Sequence, residues 1–268
     1  MYRIRCLIIL VMLLPLLQVS AEENTSEKLA ESTDTLVLKQ PFATDSSLIF
    51  VHKASWMESK YFRQSIFPVT LATSSLAILA FPDLKYEIQK QLNWDKYDQV
   101  KLYDDELRYA PMGAVALLSL AGLKGEHKLL EQVVLGGMAY ILADFIVYRT
   151  KVATQVARPA PFTERNSFPS QHASIAFVGA TFLHREFGYI SPWISVAGYT
   201  TATWVAYSRV ARNRHFVPDV LMGAAVGTLA TNATYWIYDA LMPKRKNKLS
   251  LNPSLGPEGA EIQLSYNF

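Results

Sequence analysis

The stretch SRVARNRHFVPD, residues 208–219, sets Arg209, His215 and Asp219 at fixed offsets just ahead of a long apolar run. On a helix, residues four apart share a face, so Asp219 could reach the ring of His215. A carboxylate on one ring nitrogen fixes the tautomer and leaves the other nitrogen's lone pair free to attack. Arg209 adds a permanent cationic fork suited to a tetrahedral oxyanion. Taken alone, the same spacing equally serves an ordinary structural His–Asp pair.

Two upstream stretches add to it. In KVATQVARP, Lys151 and Arg158 lie seven residues apart, two helical turns, which predicts both cations on one helix face. In SFPSQHAS, Ser170, Gln171 and His172 open an apolar helix expected to run to about Phe187. The free N–H groups of a helix start suit an anion. Three cations, a hydroxyl, a helix N-terminus and two histidines make a phosphate site with a nucleophile and an acid.

The three stretches together resemble the signature of the type 2 phosphatidic acid phosphatases. That family shares a helical fold with bacterial non-specific acid phosphatases and vanadium haloperoxidases. Its pattern is Lys, six residues, Arg-Pro; Pro-Ser-Gly-His; and Ser-Arg, five residues, His, three residues, Asp. Lys151, Arg158 and Pro159 match the first part, and Pro169, Ser170 and His172 the second, with Gln171 where the family has Gly. Ser208, Arg209, His215 and Asp219 match the third without departure. The residue order from Asp104 to Leu123, and from RNSFPSQHAS to SPWISVAGY, is similar to exported phosphatases of Bacteroidetes-type envelopes, some of which act on lipid A.

The resemblance implies roles. His215 is the expected nucleophile, Asp219 the carboxylate that holds its ring, and His172 the acid for the leaving oxygen. Lys151, Arg158, Ser170, Arg209 and the Gln171 N–H are the expected phosphate cradle. Cations already in place stabilise charge on the equatorial oxygens, so no metal or other cofactor is expected. The implied activity is removal of a phosphate, as monoester or terminal pyrophosphate, from a lipid or lipid-linked substrate, with lipid A phosphate a candidate. The alternatives are a vanadate-dependent haloperoxidase and a non-catalytic phospholipid-binding envelope protein. The Gln171 side chain is expected near the phosphate oxygens, either as a tolerated substitution or as one that narrows or redirects the mouth of the site.

The elements that must position these residues read as an all-α bundle of about six helices, at roughly 66–81, 109–123, 131–149, 173–187, 191–207 and 218–242. Gly136, Gly137, Gly179, Gly198, Gly223 and Gly227 are expected to allow close helix approach. Residues 82–108 read as a charged loop. Asp144, inside an apolar segment, is expected to pair with Arg149 or Lys151 on its own helix. His52, His127 and His184 have no metal-ligand spacing and read as surface or core residues.

Around this phosphatase domain, 65–243, lie the chain's appendages. Residues 1–21 carry Arg3 and Arg5, an apolar run from Leu7 to Leu17 and a Val19-Ser20-Ala21 cleavage site, and so read as a signal peptide. A polar lead-in, 22–48, continues into an amphipathic segment to 64. Lys244-Arg245-Lys246 form a basic stop, and EIQLSYNF in the 244–268 tail alternates as a strand does. Five bilayer-crossing helices ending at the basic stop would put the site at the periplasmic face of the inner membrane. An exported, membrane-associated bundle is the other arrangement. A single cysteine, Cys6, allows no internal disulfide. The composition, 50% hydrophobic with mean hydropathy +0.11 and net charge +3, lies between that of a soluble enzyme and a dense membrane bundle, and the resemblance implies a phosphorylated lipid and a membrane as partners. Nucleic acid is not expected at so small a charge, and no protein partner is evident.

Overall fold

The computed structural model describes residues 59–92, 102–159, 164–242, 249–256 and 259–266. The expected signal peptide, the polar lead-in and the basic stop lie outside the described residues.

Ser59 caps the first helix by accepting a hydrogen bond from the Phe62 N–H at 3.2 Å, and α1 runs Lys60–Ala80. Pro82 then starts α2, Pro82–Leu92, after a bend of 105°. The sequence reading made this a loop, but Ile88 and Leu92 stack on one helix face and both are buried. After Tyr103, which adopts a left-handed φ of 53°, α3 is a single turn, Asp104–Leu107. The remaining helices are α4 Ala110–Leu120, α5 Leu129–Thr154, α6 Gln171–Phe187, α7 Pro192–Ala211 and α8 Val217–Leu241.

The axis of the bundle is α6, which packs against α8, α7, α4 and α5. From Ala173 to Leu183 every residue of it is buried. A helix buried on all sides must have apolar or small residues all round, and Ala173, Ala176, Gly179 and Ala180 supply the small ones. Against it, α8 presents Gly223 and Gly227, one turn apart. A Cβ at Gly223 would lie 2.4 Å from the Ser170 carbonyl oxygen, and one at Gly227 2.3 Å from that of Ser174. The two backbones are therefore in contact, as small residues permit. Gly136, Gly179 and Gly198 also face neighbouring elements, whereas Gly137 has nothing within 4 Å of its Cβ position. Phe177 lies against Tyr199 at 6.2 Å between ring centroids, which ties α6 to α7.

Among the described helices, α5 is the one long and apolar enough by itself to cross a bilayer. Its length of about 39 Å, at about 1.5 Å per residue, exceeds a hydrocarbon core of about 30 Å. Leu130, Val133, Ile141, Phe145, Tyr148 and Val152 face outward along it. The bent α1–α2 pair passes the same test only when both helices are taken together. Beyond the bundle, the alternating tail forms β2, Gly259–Tyr266. It pairs antiparallel with β1, Leu249–Gly256, from Leu249 opposite Tyr266 to Gly256 opposite Gly259. The sequence reading anticipated one strand there and not its partner.

The glycine contacts predict opposite signs for two similar substitutions. Gly227→Ala should destabilise the bundle by about 1–3 kcal/mol, because a methyl group must displace backbone. Gly137→Ala should be neutral or stabilise by up to about 1 kcal/mol, as expected at an open helix position. Thermal denaturation of the two variants in detergent measures both signs.

Candidate active site

All eight residues singled out from the sequence lie where α5, α6, α7 and α8 begin or end at one end of the bundle. His215 is not on a helix with Asp219, as its spacing suggested. Instead α7 stops at Ala211, Asn213 takes a left-handed φ of 56°, and the N–H groups of Arg214 and His215 turn back to the Arg209 carbonyl at 3.0 and 3.2 Å. The side chain of Gln89, on α2, holds this turn by donating to the Val210 carbonyl and to Asn213 Oδ1. Asp219 lies in the first turn of α8 and accepts the Phe216 N–H at 2.8 Å.

His215 Nδ1 is 3.6 Å from Asp219 Oδ2, an ion-pair distance too long for a direct hydrogen bond. Ser167 fills the gap. Its hydroxyl donates to Asp219 Oδ2 at 2.5 Å and sits 3.4 Å from His215 Nδ1. Both acceptors surround Nδ1, which favours the proton there and leaves the Nε2 lone pair free. Burial pushes the His215 ring down to about 4; Asp219 opposes that shift, and Lys151 and Arg209 add to it. The ring is therefore neutral at neutral pH.

The cations converge by a route the spacing did not foresee. α5 ends at Thr154, with Gln155 in a left-handed conformation, so Lys151 and Arg158 do not share a helix face. The reversed chain runs back along itself: Arg158 N–H donates to the Glu164 carbonyl and Ser167 N–H to that of Val156. Asn166 is the meeting point. Lys151 Nζ donates to its carbonyl, and Arg158 Nε donates to its Oδ1 at 2.7 Å. Glu164 Oε2 lies 3.2 Å from the same guanidinium.

The Phe168–Pro169 peptide bond is cis, and Ser170 follows as the N-cap of α6. Ser170 N–H donates to the Asp219 carbonyl at 2.9 Å, which joins the second and third motifs through the backbone. Its hydroxyl is fully buried and has no hydrogen-bond partner among the described residues. A buried donor without an acceptor is uncommon and suits a ligand oxygen. The first N–H groups of α6 likewise have no acceptor within the helix. Gln171 departs from expectation: its Nε2 donates to Asp144 Oδ1 at 2.5 Å, so the side chain is committed to α5. Asp144 accordingly pairs with Gln171, and not with Arg149 or Lys151 of its own helix.

The remaining charges come from residues 104–108, which the sequence reading left in a loop. Asp104 is buried and accepts from Arg209 and Arg212, each at 2.7 Å. Burial raises its carboxyl, but the two guanidinium groups outweigh that and hold it below the ordinary range. His172, in the first turn of α6, donates from Nε2 to Asp105 Oδ1 at 2.6 Å. One guanidinium nitrogen of Arg108 lies 3.0 Å from Nε2 and 3.5 Å from Nδ1. Burial also brings the His172 ring down to about 4; Arg209 and Arg108 reinforce the shift and Asp105 opposes it. Among the described residues, no three His, Cys, Asp or Glu side chains group as a metal site.

Sequence comparison matches residues 132–243 to the profile of the PAP2 superfamily. Among curated relatives, the lipid A 1-phosphatase of Porphyromonas gingivalis is 52% identical over 79 residues, which are 30% of this chain and 18% of that protein. Lipid phosphate phosphatase gamma of Arabidopsis thaliana is 27% identical over 116 residues, 38% of this chain and 51% of that one. This chain thus spans less than a fifth of the length of the first relative and about half of the second. Two crystal structures also align. Aquifex aeolicus LpxE is 24% identical, with 57% of this chain and 95% of that chain covered, at a TM-score of 0.45. The first transmembrane PAP2-type phosphatidylglycerolphosphate phosphatase from Bacillus subtilis is 20% identical, with 66% and 98% covered, at 0.47.

The burial of the two rings predicts their titration. Followed by NMR, both His172 and His215 should stay neutral down to about pH 5, below the ordinary histidine value of about 6.5. Asp219→Asn removes the charge that favours the imidazolium, so the His215 pKa should fall further. A rise on that substitution would contradict the assigned geometry.

Proposed function

We propose that the chain is a metal-independent phosphatase acting on a phosphorylated lipid through a phosphohistidine intermediate. The observation that carries this reading is a neutral His215, backed by Ser167 and Asp219 with Lys151 and Arg209 acting on its ring, together with the unpartnered buried hydroxyl of Ser170 at the N-cap of α6. In the first step His215 Nε2 attacks phosphorus, and the bond from phosphorus to the leaving oxygen breaks. A proton from His172 neutralises the departing alkoxide. Water then attacks the phosphohistidine, gives its proton to His172 and releases inorganic phosphate, which restores Nε2. Lys151, Arg158, Arg209, Ser170 and the α6 N-terminus bind the equatorial oxygens throughout, where charge is spread in the transition state.

The matched relatives are named for lipid A and lipid phosphates, and both fit the outward apolar faces around the site. Lipid A phosphate leads the candidates, with phosphatidic acid, phosphatidylglycerol phosphate and undecaprenyl pyrophosphate using the same chemistry. Phosphate release from these four, in chelator and with vanadate, tests the reading. Activity should survive chelation, fall with vanadate and vanish in His215→Ala, and Asp219→Asn should lower turnover by about 10²–10⁴-fold. Halide oxidation in the presence of vanadate would identify the haloperoxidase instead.

We further place the site at the periplasmic face of the inner membrane. Trp193 lies beyond the far end of α6, roughly 25 Å from its start at about 1.5 Å per residue. A cysteine replacing Glu164 should react with an impermeant maleimide once the outer membrane is opened. One replacing Trp193 should react only after the inner membrane is broken. The reverse pattern would place the site in the cytoplasm.

A further inference from the structure

The mechanism requires His172 to deliver a proton, yet burial and two cations disfavour its charged form. Among the described residues, three charged groups act on the ring: Arg108 beside it, Arg209 from α7, and Asp105. Asp105 alone is anionic, and it accepts the Nε2 proton at 2.6 Å. Its carboxylate is largely exposed, with 63% of the side chain accessible, so burial does not account for its position. The same oxygen lies 4.0 Å from Arg209 Nη1, a guanidinium of the cradle. With Nε2 anchored, Nδ1 is the ring nitrogen without a close acceptor among the described residues, where Arg108 lies 3.5 Å from it.

We propose that Asp105 is the positioning residue of the leaving-group acid, so that the site contains two Asp–His pairs used in opposite senses. This inference rests on the phosphatase reading above. In the first pair Asp219 and Ser167 face Nδ1 of His215 and free Nε2 to attack. In the second Asp105 holds Nε2 of His172 and turns Nδ1 towards the leaving oxygen. As Nδ1–H gives its proton to that oxygen, the ring returns to the neutral Nε2–H form that Asp105 already binds. Asp105 also stabilises the imidazolium before transfer, against Arg108 and Arg209. None of the three motifs contains this residue; it reaches the site from the single turn of α3, 67 positions before His172.

Leaving-group dependence tests this. In Asp105→Asn, kcat on a lipid alkyl phosphate should fall about 10–100-fold with KM little changed, as for loss of a ring-orienting carboxylate. On 2,4-dinitrophenyl phosphate, whose leaving phenolate needs no proton, the pre-steady-state burst that reports the phosphorylation step should keep its wild-type rate in the variant. Asp105→Glu should recover part of the lipid activity. By NMR the His172 pKa should fall in Asp105→Asn while that of His215 holds. A loss in the burst rate equal to the loss in lipid kcat, or an unshifted His172 titration, would overturn the proposal. A wild-type chain inert on both esters would overturn the phosphatase reading, and the titration would then decide the role of Asp105 alone.

Discussion

One backbone contact organises this molecule: the start of α6 rests on the first turns of α8. Ser170 N–H donates to the Asp219 carbonyl, and the missing side chains of Gly223 and Gly227 let the two helices meet main chain to main chain. Each motif contributes only part of a site, and this contact sets their relative position. Rigid helices fix groups more closely than loops do, and phosphoryl chemistry depends mainly on positioning and fixed charge.

The difficulty of such a site is electrostatic. Several cations must wait close together at a largely buried position, which is costly for unpaired charges. The chain meets this with contacts that leave donor capacity for a ligand. Asp104 neutralises Arg209 and Arg212 from behind, while the Arg209 Nε stays without a partner among the described residues. Asn166 engages both Lys151 and Arg158 through neutral oxygens, which hold Lys151 in place without neutralising its charge, while Glu164 pairs with Arg158. The helices outside the matched region also matter. α2 braces the turn that carries His215, and Ser75 on α1 donates to the Pro218 carbonyl at 2.7 Å.

Much of the helical pattern was legible, because apolar segments bounded by Pro, Gly and Ser carry a strong periodic signal. The three motifs named residues that the structure does bring to one end of the bundle. Two geometric arguments were wrong in their means. Lys151 and Arg158, like His215 and Asp219, sit on either side of a helix end, and left-handed residues at Gln155 and Asn213 do what helical spacing was expected to do. The contributions of Ser167, Asn166, Asp104, Asp105 and Arg108 were missed. Their polar character was visible, but a run such as DDELR reads as a solvated loop until tertiary packing sets it against residues far along the chain. Gln171 illustrates the same limit: its direction depends on Asp144, a residue of another helix.

The adjacent pair Asp104–Asp105 carries a consequence for how this chain can vary. In one short turn, the first carboxylate faces inward to two arginines and the second outward to His172. Adding or deleting a single residue between Tyr103 and Arg108 would rotate the turn and exchange or lose both assignments at once. A segment that looks like a tolerant connection is therefore fixed in length. Substitution there is graded, whereas an insertion is all or nothing.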